Sequence, residues 1–132
     1  LIAWKRKLQR KRPKHLNLIE IKQPLAAVVS ILHRVSGVLL FFPGIPILLC
    51  SLQTAMDSPQ SYIEFQSFLA SPVIKGSLML AMWFFLHHFC AGIRHLAMDL
   101  HYGVALEQSR MSGKLVLVTG IVLTLLIGMK LW

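Results

Sequence analysis

The stretch "HHFCAGIRHLAMD", positions 87–99, puts three histidines, an arginine and an aspartate into surroundings that are otherwise apolar. Neutral imidazole is a ligand for iron and other transition metals, and guanidinium clamps a carboxylate or stabilises an anionic oxygen. At about 100° per helical residue, His88, Gly92, His95 and Asp99 fall within about 60° of one another, and His87 and Arg94 lie a quarter turn or more away. Gly92 notches this face one turn from His88, where a flat ligand or a neighbouring backbone comes close. A second stretch, "SILHRVSG", repeats the pattern: Ser30, His33, Arg34 and Gly37 share an arc of about 100°.

Ionisable groups inside a bilayer are costly and face the bundle interior, so these two faces look at each other or at something held between them. Interhelical hydrogen bonding alone is the plainer account of the histidines, and snorkelling to headgroups the plainer account of Arg34. Two axial imidazoles on one haem sit on opposite sides of the iron, whereas His88 and His95 are about 10.5 Å apart along one helix. They cannot pair. His33 is an intrachain candidate for the second ligand, and a histidine of another subunit is equally compatible. Zinc hydrolysis has no support, since H-E-x-x-H, a cysteine cluster and a carboxylate set are all missing. Nor is there a hydrolytic nucleophile arrangement.

The elements that must position these residues are membrane helices. The 132-residue chain is 55% hydrophobic and 14% charged, with mean hydropathy +0.63. Three apolar runs approach bilayer-spanning length, roughly 26–52, 73–98 and 115–132. The expected fold is an all-α integral membrane protein with three transmembrane helices, forming part of a heteromeric helix bundle, because three helices alone enclose a haem poorly. Residues 1–24 form a basic amino-terminal segment and residues 25–132 the transmembrane domain. Residues 13–24 lie between Pro13 and Pro24 as a short interfacial stretch.

Eight of the fourteen Lys and Arg residues precede position 24, while the connection 51–71 has none and carries Asp57 and Glu64. The second connection holds Arg110 and Lys114. The positive-inside bias then gives an N-in, C-out topology. The net charge of +9 is explained by orientation and anionic headgroups, and no groove-reading motif supports nucleic acid as a partner. No signal-peptide core is expected near the start. "FFPGIP", with Pro43 and Pro46, predicts a kink or early unwinding in the first span. Cys50 and Cys90 read as small buried hydrophobes. The connection "TAMDSPQSYIEFQSFLASP" is expected to skim the interface.

"RPKHLNL", then "SILHRVSG", then H-x-x-x-GIRH-x-x-x-D from His88 to Asp99, resembles the cytochrome b membrane-anchor subunits of succinate dehydrogenase, from Arg12 onward. The resemblance implies an inner-membrane location, bacterial or mitochondrial, and a second small hydrophobic anchor subunit as partner. It also implies iron–sulfur and flavoprotein subunits on the inner face, and a haem b between the two anchors. Electrons from succinate would pass through iron–sulfur clusters to ubiquinone. Carried over by motif position, His88 is the axial haem ligand from this chain, and a histidine of the other anchor lies opposite. His33 and Arg34 lie near the haem propionates and the quinone, and Ser30 and Arg34 line the quinone pocket. His95 and Asp99 orient helices or support the propionates. His87 duplicates the ligand type, and only the register to Gly92 selects His88. A fumarate reductase anchor, running the same chemistry in reverse, and a cofactor-free structural anchor are the alternatives; a transporter lacks the paired broken helices of an inverted repeat.

Overall fold

The computed structural model describes residues 21–131. The expected basic tail and most of the interfacial stretch lie outside the described residues. Among the described residues five α-helices follow in order: α1 (Leu25–Leu39), α2 (Ile45–Asp57), α3 (Pro59–Leu69), α4 (Pro72–Asp99) and α5 (Leu106–Leu131). No strand occurs among the described residues. A π-helical turn, Leu40–Gly44, joins α1 to α2 without ending the helix, so the two form one apolar span of 33 residues. With α4 at 28 residues and α5 at 26, three helices are long and apolar enough to cross a bilayer, as the apolar runs predict.

The π turn is the physical form of the expected kink. Pro43 lacks the N–H that would bond back to Leu39, and widening the turn relieves its ring from the preceding carbonyl. Gly44 completes the turn, because a Cβ there would lie 3.2 Å from the Leu39 carbonyl oxygen. Pro46 follows in the first turn of α2 and leaves a second N–H missing from the continuous span, next to the turn that Pro43 already widens.

One expectation needs correcting. The third span starts at Leu106, nine positions before the apolar run at 115, because the polar residues 106–114 contain nothing that stops a helix. The true connection is 100–105, where His101 (φ 64°) and Gly103 (φ 71°) take the left-handed backbone that ends α4. Arg110 and Lys114 are therefore helical residues of α5. The other connection holds a helix of its own, α3. Ser58 caps α3 by accepting from the Ser61 amide at 3.0 Å, and Pro59 follows at the first helical position.

Helices α1, α4 and α5 pack on one another around a small centre of Val29, Ala91 and Val116, with Cys90 and Leu117 against it. Close approach comes from α5, whose buried face is Ser109, Gly113, Val116, Gly120, Thr124 and Gly128. Small residues at this spacing let backbones meet in an apolar medium. A Cβ on Gly120 would already touch the His87 backbone at 3.6–3.8 Å. Most large apolar side chains, among them Phe41, Phe42, Leu48 and Phe89, point outward. In water such a surface would be untenable; lipid or further helices cover it. Cys50 belongs to it, exposed rather than buried, whereas Cys90 is half-buried as expected.

Candidate functional site

Helix α4 carries two polar faces, and each meets a different neighbour. His88, Gly92 and His95 turn toward α1. His87, Ala91 and Arg94, separated by four and three positions, form the buried face. The 100° spacing anticipates the first face, and the second is what places His87 and Arg94 out of its arc.

On the first face the two glycine notches are filled reciprocally. The His33 ring comes to Gly92, whose added Cβ would lie 3.6 Å from His33 Nε2. The His88 ring comes to Gly37, where an added Cβ would lie 2.9 Å from His88 Cε1. The occupant of the Gly92 notch is therefore a histidine of the neighbouring helix, in place of the flat ligand or backbone anticipated. His33 and His88 stack with centroids 4.3 Å apart and planes 13° from parallel, and His95 tilts against His33 at 5.1 Å.

Hydrogen bonds fix the His88 tautomer. The Ser36 hydroxyl donates to the His33 carbonyl oxygen at 2.9 Å. Having spent its proton there, Ser36 Oγ meets His88 Nδ1 with a lone pair at 3.2 Å, and the His33 carbonyl oxygen lies 3.1 Å from the same nitrogen. Two acceptors converge on Nδ1, so Nδ1 carries the proton and Nε2 the lone pair. Among metal-binding histidines this is the usual arrangement: the non-ligating nitrogen donates to a carbonyl, which orients the ring and raises its basicity. Ser36 is fully buried and was not foreseen as part of the site, although its place in "HRVSG", three residues after His33, puts it on the same helix face.

The other foreseen residues stand around this cluster. Ser30 is half-buried on α1, and Arg34 is exposed, within electrostatic reach of His33 and His95. From α1 it is the His33 ring that stacks on His88. His95 is half-buried with Nε2 enclosed and without a hydrogen-bond partner, and Asp99 is exposed at the end of α4.

On the second face, His87 is 0% exposed beside Trp83, with rings 5.5 Å apart, and neither of its ring nitrogens has a hydrogen-bond partner. Arg94, 6% exposed, donates from Nε to Ser112 Oγ at 3.0 Å. Its Nη2 donates to the Ser109 hydroxyl at 2.9 Å and the Ser109 carbonyl at 3.3 Å. This guanidinium clamps α4 to α5, and a cavity of about 420 Å³ beside it is lined by Cys90, Tyr102, Ser112 and Thr119. Neither His88 nor Arg34 borders that cavity. The clamp was missed because its serines lie in the polar stretch read as a connection. Among the described residues no group of three or more His, Cys, Asp or Glu side chains is arranged to hold a metal ion.

Residues 8–127 match the family described as succinate dehydrogenase/fumarate reductase transmembrane subunit. The chain is 35% identical to a succinate dehydrogenase cytochrome b556 subunit of Coxiella burnetii, an alignment covering 92% of this chain and 98% of that one. Against the cytochrome b556 subunit of Paracoccus denitrificans it is 33% identical, over 87% of this chain and 88% of that one. Against the mitochondrial cytochrome b560 subunit of Mus musculus it is 31% identical, over 89% of this chain and 70% of that one. Three spanning helices and likeness along nearly their whole length lead to one assignment: the chain belongs to the succinate dehydrogenase/fumarate reductase transmembrane subunit family.

Proposed function

We propose that this chain is the cytochrome b anchor subunit of a succinate:quinone oxidoreductase, that it contributes His88 as one axial ligand of a haem b, and that it lines the site where ubiquinone is reduced. The observation that carries this reading is the His88 ring, held at Nδ1 by the His33 carbonyl and Ser36 with its Nε2 lone pair left for iron. His33 stacks on the face of the His88 ring and so does not meet its Nε2 lone pair, which lies in the ring plane and would hold the iron. The second axial imidazole comes from a second anchor subunit. When bound, haem b supplies a one-electron Fe(III)/Fe(II) couple at this level of the membrane.

The work of this chain is binding, orientation and charge. Ser30 donates a hydrogen bond to a quinone carbonyl oxygen, and the Arg34 guanidinium stabilises negative charge on that oxygen as electrons arrive. The exposure of Arg34 supports this role, at a boundary that partner subunits would complete. His33, stacked on His88 and within electrostatic reach of Arg34, would lie near the haem propionates and the quinone. His95 packs against His33 with its Nε2 enclosed, and would orient the helices or support a propionate. Succinate oxidation itself takes place in a flavoprotein subunit, with an iron–sulfur subunit relaying electrons.

The basic amino-terminal side faces the cytoplasm or matrix, so the soluble subunits dock where α1 begins and α4 ends. The membrane is the bacterial cytoplasmic or the mitochondrial inner membrane, which the bacterial and mitochondrial relatives support. Relatives named for succinate dehydrogenase favour the succinate-oxidising direction over fumarate reduction. Turnover with ubiquinone against menaquinol separates the two. The test of the haem assignment is a reduced-minus-oxidised spectrum of the purified complex carrying His88→Leu. Loss of the cytochrome b bands is expected; an intact bis-histidine spectrum would refute the ligand.

A further inference from the structure

We infer that Ser36 and Gly37 are positioning residues for the haem iron: together they set the rotation of the His88 imidazole and the electron density it delivers through Nε2. This rests on the reading of His88 as an axial ligand and adds what controls that ligand.

The two residues constrain the ring at different atoms. Ser36 is 0% exposed and lies 3.2 Å from His88 Nδ1, with its own proton donated to the His33 carbonyl oxygen. The Nδ1 proton is thereby shared between two acceptors, His33 O and Ser36 Oγ, that leave the α1 backbone one turn apart. A single acceptor lets a ring pivot about one bond, whereas two acceptors at fixed separation hold its plane. Gly37 constrains the same edge, one atom further along the ring. A Cβ at this position would stand 2.9 Å from His88 Cε1, closer than real contacts permit, so the ring occupies that space only because residue 37 has no side chain. The sequence S-G at 36–37 is thus a seat, with a hydroxyl against Nδ1 and an absent methyl against Cε1.

The electronic consequence follows from the same geometry. Acceptors on Nδ1–H increase the negative character of the imidazole and favour ferric over ferrous iron. Deleting one of them shifts the balance toward ferrous and raises the potential. Losing one shared hydrogen bond is expected to change the ferric-to-ferrous equilibrium by up to about tenfold, equivalent to ~59 mV for one electron.

The experiment uses the whole purified complex with Ser36→Ala, Ser36→Thr, Gly37→Ala and His88→Leu. Haem content, midpoint potential and the low-spin ferric g-values are read, the last because they report the orientation of axial imidazole planes. Ser36→Ala is expected to keep its haem, raise the potential and move the g-values, and Ser36→Thr, which retains the hydroxyl, to stay near the unmodified values. Gly37→Ala leaves every hydrogen-bonding atom in place and is expected to move the g-values by pushing the ring; it carries the test alone if Ser36→Ala fails to assemble. Unchanged g-values and potential in the assembled Ala variants, with His88→Leu devoid of haem, overturn the seat and leave the ligand assignment standing. Haem retained in His88→Leu overturns both.

Discussion

The imidazoles of His33 and His88 lie face to face, 4.3 Å apart and nearly parallel, each seated at a glycine of the opposite helix. Because each ring needs the other's helix to be notched, the contact fixes the register of α1 against α4. The next ring nitrogen over, that of His87, belongs to another face entirely, and this distinction has measurable consequences.

Replacing His87 with phenylalanine is expected to leave haem content and the cytochrome b spectrum unchanged. The side chain is fully buried with no hydrogen-bond partner on either nitrogen, so its polarity brings no gain that an apolar ring of similar shape lacks. Haem quantitation per complex, set beside His88→Leu, provides the check; loss of haem in both would mean the two neighbours act together.

Arg94→Gln should destabilise the assembled complex by about 2–3 kcal/mol, the usual range for losing hydrogen bonds to a charged group. Arg94→Lys should recover only part of this, because an ammonium cannot span Ser109 and Ser112 as the planar fork does. The half-inactivation temperature of detergent-solubilised complex measures the effect. Full recovery by lysine would show that charge alone matters at this position.

Arg34→Leu is expected to lower quinone reduction roughly 100-fold, the scale of removing one donor to a developing anion. Flavin-dependent oxidation of succinate by an artificial dye should stay intact. Equal loss of both activities would instead place Arg34 in assembly.

Gly120→Ala should be tolerated and Gly120→Leu should not. An added Cβ meets the His87 backbone at ordinary contact distance, 3.6–3.8 Å, but a branched side chain must part α5 from α4. The yield of assembled complex from membranes distinguishes the two variants.

How much of this was legible in the sequence depended on whether the deciding interaction was local. Three spans were readable because apolar runs of that length have few alternatives, and His88 could be grouped with Gly92 and His95 because helical spacing is fixed. The start of α5 was not, since a polar sequence without a stop signal leaves helix and connection equally possible until packing decides. Ser109 and Ser112 lay in that stretch, so the anchor of Arg94 went unseen with them. Ser36 was passed over for a different reason. Serine in a helix ordinarily bonds its own preceding turn, as this one does to His33, and only the arrival of His88 from α4 turns that bond into part of a site.

The widened turn at Leu40–Gly44 has one more effect. Inserting a residue into the helical winding rotates everything after it by about 100° relative to an unbroken helix. The flank of the first membrane crossing that carries Ser30, His33 and Gly37 is therefore not continued by the side chains at the same period beyond Ile45. The two halves of that crossing address different neighbours, the nearer committed to α4 and α5 and the farther presenting Ile47, Leu48 and Leu49 outward. Any helical wheel drawn through residue 42 would assign the wrong partner to half of its spokes.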